Sequence, residues 1–203
     1  MEIKRLLFLL AVFLLHMKLS QMSPVGLVCD GRLIQKYITE ARDLENKASH
    51  CEELPLLQHP VHLPLVGFSL QEWRRKANQG KRQEVLQDLS ELVNATAMVQ
   101  EEFPEGCTFG LLQQLFERAS FLLLYLQNFV GQELDAAWQQ KGACQLIQER
   151  HVRTVFQTYK QLVQGKLRFL FLDLQKGTCG EQGDRLAAAE VQHPPSPAAS
   201  GGQ

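Results

Sequence analysis

The chain has 203 residues, 45% of them hydrophobic, with 21 Lys and Arg against 22 Asp and Glu and a formal net charge of −1. That length allows one domain with a sizeable core, and the balanced charge excludes a globally basic nucleic-acid binder, so any electrostatic recognition has to be local. No Cys-x-x-Cys pair, Gly-rich phosphate loop, nucleophile elbow or paired-carboxylate motif points to zinc, a cofactor or catalysis.

Lys4 and Arg5 precede an apolar run from Leu6 to Leu15, and small or polar residues lie between Ser20 and Ser23. This is the pattern of a secretory signal peptide, expected over residues 1–21 with cleavage between Ser20 and Ser23. His16 and Lys18 end the apolar run well short of the roughly 20 residues a membrane anchor needs. Five cysteines follow: Cys29, Cys51, Cys107, Cys144 and Cys179. In a secreted chain an even subset is expected to form a disulfide framework, with one cysteine left over.

The first helix is predicted from Cys29 and Asp30 to about Lys47. Leu33, Ile34, Tyr37, Ile38, Ala41 and Leu44 make its apolar stripe, and Arg32, Lys36, Glu40 and Arg42 occupy the other positions. Asp30 stands where a cap for the first turn is needed. From Ser49 to about Gly80 periodicity weakens, with Pro55, Pro60 and Pro64 interrupting a long connection. Its apolar patches, Leu63 to Phe68 and Trp73, are expected to lie against the core. Ser69-Leu70-Gln71-Glu72 matches a capping box for a short helix through Trp73 to Asn78.

The second helix is predicted over about Lys81 to Glu102, with Val85, Leu86, Leu89, Leu92, Val93, Thr96 and Val99 inward. Asn94-Ala95-Thr96 is a glycosylation acceptor, and Asn94 falls beside that stripe. Phe103-Pro104-Glu105-Gly106 stops the helix. A third helix over about Phe109 to Val130 is apolar well beyond one face, because Phe121, Leu124 and Tyr125 widen its stripe. Residues 131–149 form a second long connection containing Trp138 and Cys144. The last helix begins at Val152, and Val155, Phe156, Tyr159, Leu162, Val163, Leu167, Leu170 and Leu174 continue one stripe. Arg153, Lys160, Lys166 and Arg168 sit beside or across from it. After Cys179 the Gly-, Ala- and Pro-rich residues 181–203 read as a disordered tail.

Four helices of this length make an all-α four-helix bundle. The turn between the second and third is short and implies antiparallel neighbours. The first and third connections are long enough to run the length of the bundle, which allows an up-up-down-down arrangement. In that topology Cys29 and Cys179 share one end while Cys51 and Cys107 share the other, within disulfide reach. A simple up-down-up-down bundle would part the second pair by about a helix length, so that bridge separates the two topologies.

A secreted, two-bridge bundle of this kind resembles the long-chain helical cytokines. Cys29-Asp30-Gly31-Arg32-Leu33 and Gln164-Gly165-Lys166-Leu167-Arg168-Phe169 resemble the first- and last-helix signatures of the erythropoietin/thrombopoietin family. Leu63-Pro64, Phe68-Ser69-Leu70, Glu72-Trp73 and the placement of Cys107 are similar to its thrombopoietin branch. The resemblance covers about Cys29 to Cys179, within a cytokine domain spanning 22–180. It implies a hormone without cofactor or metal that joins class I cytokine receptor chains, here of the thrombopoietin-receptor type. Lys166, Arg168, Pro64 and Glu72 would then serve one face, and Asp30, Arg32 and Lys36 the other. Lys166→Glu is expected to weaken binding with little change in unfolding. The chain departs from the family at Gln164, where a basic residue is common, at the unmatched Cys144, and in a tail too short for the Pro/Ser/Thr-rich extension of that branch.

Two rival classes differ in chemistry. An enzyme would have to use His59 and His62, which lie in a Pro-rich loop with no Cys or acidic cluster at metal spacing. A carrier of small apolar ligands would use the broad apolar surface of the third helix.

Overall fold

The computed structural model describes residues 28–51, 56–128, 145–177 and 179. The expected signal segment 1–21, Trp138, Cys144 and the tail 181–203 lie outside these. Helix α1 (Gly31–Ser49) is capped by Asp30, whose backbone is extended and whose carboxylate oxygen accepts the Arg32 N–H at 3.0 Å. Ile34, Tyr37, Ile38, Ala41 and Leu44 are buried, while Leu33 is only partly so.

Strand β1 (Leu56–Pro64) follows, then α2 (Leu70–Arg75), which Ser69 caps as its sequence predicts. Helix α3 (Asn78–Glu102) begins before the expected Lys81 and ends ahead of Pro104, which cannot continue a helix. Helix α4 (Gly106–Asn128) starts on Gly106, whose φ of +92° is a left-handed conformation that glycine alone adopts freely. Strand β2 (Leu146–His151) leads into α5 (Val152–Leu162), a π turn (Val163–Leu167), and helical backbone resumed over residues 168–177. These last three pieces form one rod, and all of its predicted stripe is buried.

Helix directions follow from contacts at the ends. Cys29 is bonded to Cys179 (Cα–Cα 5.7 Å), so α1 and the last rod are antiparallel. Cys51 is bonded to Cys107 (Cα–Cα 6.1 Å), which places the end of α1 at the start of α4. At the other pole Arg82 of α3 donates to the carbonyls of Leu126 (2.9 Å) and Gln127 (3.1 Å), acceptors that the end of α4 leaves without helical partners. Lys81 meets Asp173 of the last rod at 2.9 Å. Thus α1 runs parallel to α3, and α4 parallel to the last rod: up-up-down-down.

The described parts of the two crossovers include paired strands, although the prolines of the first led us to expect a connection of weak periodicity. β1 and β2 pair antiparallel, with Val61 opposite Glu149, Leu63 opposite Ile147 and Pro64 opposite Leu146. The register shifts between Leu56 and Val61, where Pro60 can donate nothing to the ladder. A two-stranded ribbon tolerates proline because each strand has a free edge, and it buries Leu57, Val61 and Leu63 against the bundle.

The broad stripe of α4 is spent on packing. Phe121 stacks on Tyr37 with ring centres 6.0 Å apart, and Tyr125 stacks on Phe171 at 6.0 Å. The apolar surface that the carrier reading needed faces α1 and the last rod.

Candidate functional site

The first crossover is pinned to the last rod by an aromatic chain. Phe68 lies with its ring centre 5.1 Å from Trp73 and 5.7 Å from Phe169. It fits there because Gly165 has no side chain; a Cβ built on Gly165 would lie 3.1 Å from Phe68 Cε1. Gly165 also has non-helical torsions (φ −96°, ψ −108°) within the π turn, a form of widened turn that recurs at functional positions. Leu65, Leu70 and Leu172 remain 46%, 46% and 38% exposed on the segments so joined, a high value for leucine in a folded domain. Arg168 and Glu72 are exposed on the same segments.

Two of the residues assigned to this face by resemblance are placed otherwise. Pro64 is buried at the end of β1, opposite Leu146. Lys166 is inside the protein, with a side chain 4% exposed. Its Nζ lies 2.7 Å from Asp88 Oδ2, 2.8 Å from Glu84 Oε1 and 3.5 Å from the Leu65 carbonyl. Burial pulls the pKa of the ammonium down, but hydrogen bonds and charge from Asp88 and Glu84 outweigh it and the net direction is up. Lys166, expected to border the apolar stripe, lies on its inward side instead. Lys166 follows Leu162 by four and Val163 by three, which is the inward face, and its counter-charges on α3 are far away in sequence.

The second face is open. Arg32, 92% exposed, forms a forked pair with Asp30 at 2.9 and 3.0 Å, which holds the Asp30 carboxyl below its ordinary range. Lys36 lies 3.8 Å from Glu40, and Glu40 in turn 3.3 Å from Arg118 of α4. Gly31, Arg32, Gln35, Lys36, Thr39 and Glu40 line one shallow depression there. Asp30, Arg32 and Lys36 are thus brought together, with the cap and the salt link serving structure as well.

Phe68, Phe169, Leu65, Leu70 and Leu172 were missed as site residues by sequence reasoning. Phe68 was read with the patch expected to lie against the core, and Phe169 sits in the quoted last-helix motif but outside the predicted stripe. His59 and His62 do not approach each other's chemistry: His59 lies 3.7 Å from Glu102, and His62 faces Gln148 at 3.5 Å. Among the described residues no group of three His, Cys, Asp or Glu is placed to hold a metal, and no helix is long and apolar enough to cross a membrane.

A sequence model of the erythropoietin/thrombopoietin family matches residues 26–182. Thrombopoietin of Rattus norvegicus is 33% identical over 82% of this chain and 49% of its own length, and that of Mus musculus 33% over 82% and 45%. The chain thus spans about half the length of these curated relatives. Erythropoietin of Alexandromys oeconomus is 30% identical over 89% of this chain and 96% of its own length.

Proposed function

The chain belongs to the erythropoietin/thrombopoietin family of signalling hormones, and on that premise we propose that it is a secreted haematopoietic cytokine that activates a thrombopoietin-type class I receptor and promotes megakaryocyte and thrombocyte production. The observation that carries the proposal is the aromatic seam of Phe68, Trp73 and Phe169. It makes one preformed surface from the first crossover and the last rod, so a partner need not order a loop on binding. Arg168 and Glu72 supply charge at its rim, while Leu65, Leu70 and Leu172 supply apolar area that a receptor can dehydrate. Asp30, Arg32 and Lys36 form the second contact, so one monomer gathers two receptor chains. Lys166 and Pro64 contribute from beneath the first surface.

Full-length coverage of an erythropoietin favours a second reading, in which the receptor is of the erythropoietin type. Reporter cells expressing one receptor or the other decide. We expect a response through the thrombopoietin receptor; a response confined to the erythropoietin receptor transfers the assignment, and silence in both lines removes it. On the responding receptor Arg168→Glu should weaken binding at least tenfold. Arg32→Glu/Lys36→Glu should retain one-chain binding and lose signalling.

A further inference from the structure

We propose that Lys166 sets receptor affinity from inside the protein, as a positioning residue that fixes the π turn Val163–Leu167 and through it the placement of Arg168, Phe169 and Leu172 against the first crossover. This rests on the receptor-binding reading above and names the internal contacts that shape that surface.

Three elements converge on one ammonium. Asp88 and Glu84 come from one face of α3, a turn apart, and Leu65 comes from the crossover. Glu84 is also paired with Lys76, the residue that ends α2. A lysine ammonium has three donors, and here each has an acceptor in a different direction. The cluster therefore ties α2, α3, the crossover and the last rod together at the point where the last rod loses α-helical hydrogen bonding. At Gly165 the torsions leave the helical region, so the local ladder does not by itself fix how residues 168–177 are turned. Removing charges from water largely offsets their attraction, so a pair with both side chains 4% exposed adds little net stability. What it supplies is direction, since both carboxylates are satisfied only when Nζ occupies one place. Arg168 lies two positions further on and is exposed, so its direction depends on that place.

The test uses Asp88→Asn, a change at a residue 3% exposed that cannot itself meet a receptor. Binding kinetics of the full secreted chain are measured on immobilised thrombopoietin- and erythropoietin-receptor ectodomains at several salt concentrations, with the active fraction titrated. Hydrogen exchange is followed in residues 163–172 and in α4. On the ectodomain that wild type binds, dissociation should quicken at least tenfold, while association and its salt dependence stay unchanged. Exchange should rise at least tenfold in 163–172 and not in α4, which a general loss of stability would not produce. Glu84→Gln, at a side chain 26% exposed, is the milder variant should Asp88→Asn not fold, and should quicken dissociation about threefold. Were Lys166 a direct contact, freeing it from a carboxylate would leave dissociation unchanged or slow it, and either result overturns the proposal, as does unchanged exchange in 163–172. Wild-type protein that binds neither ectodomain overturns the receptor reading and this proposal together. Wild-type binding with variants indistinguishable from it overturns this proposal alone.

Discussion

Gly165 of the last rod and Phe68 of the first crossover meet so closely that a methyl group on the glycine would sit 3.1 Å from the ring edge. The crossover can therefore lie flat on the rod only while residue 165 carries no more than a methyl group. Phe68 is half-buried, so it can yield a few tenths of an ångström to alanine but not to a branched residue. Gly165→Val should drive Phe68 off the rod at a cost of about 1–3 kcal/mol, the range for overpacked sites. Because Phe68 lies 5.1 Å from Trp73, the emission of Trp73 in a Trp138→Phe background reports the displacement. An unchanged spectrum with unchanged stability would dismiss the seam.

Substituting Lys166 should destabilise the fold, contrary to what the sequence led us to expect. Lys166→Ala leaves Asp88 buried without its ammonium, and breaking such a pair costs about 3–5 kcal/mol. Urea unfolding at pH 7 measures it. The folded-state pKa of Lys166 lies above its ordinary 10.5, so the contribution is complete below that value and is lost only as pH rises through the folded value. Wild type and variant should converge in strong alkali and not near neutrality.

Acid should act through Glu149. Burial pushes its carboxyl up, but the N–H groups of His151 and Arg150, the His151 ring and Thr154 hold it down at about 2, against an ordinary 4.5. A depressed carboxyl stabilises above its unfolded value and loses that contribution as pH falls through the folded one. Between pH 4.5 and 2 the wild type should therefore lose stability faster than Glu149→Gln. Thermal melts across that window would show parallel curves if the carboxylate did not serve the start of α5.

The two bridges should differ in weight. Cys51–Cys107 closes a separation of 56 residues and Cys29–Cys179 one of 150. The chain-entropy model gives about 4 kcal/mol for the first and about 5 kcal/mol for the second. Paired Cys→Ala variants in urea should lose stability in that order, and the reverse order would mean that native packing, not chain entropy, dominates.

Asn94 is exposed on α3, whereas Thr96 of the same acceptor motif is fully buried and donates its hydroxyl to the Leu92 carbonyl at 2.7 Å. Sugar transfer, which reads the hydroxyl, must then precede folding of α3. Secreted protein should carry a deglycosidase-sensitive mass that Asn94→Gln removes, with stability within about 0.5 kcal/mol. Folded, unglycosylated protein should not accept the sugar in vitro; if it does, Thr96 is more accessible than this packing allows.

The amino-acid sequence by itself determined the four amphipathic stripes, the stops at Pro104 and Gly106, the cap at Asp30, and the pairing of cysteines that separates the two bundle topologies. Each of these is written within a turn or two of the chain, or follows from loop lengths that set which helix ends can meet. Only the tertiary structure decided that the crossovers pair as a ribbon, that Pro64 is covered, and that Lys166 turns inward to Asp88 and Glu84. Whether a lysine on an apolar face is core or surface depends on finding counter-charges, and here the nearer in sequence, Asp88, stands 78 residues away on another helix. A helical period records which face a residue occupies; it carries no information about what stands opposite, and for a charge it is the opposing group that determines whether leaving water can be tolerated.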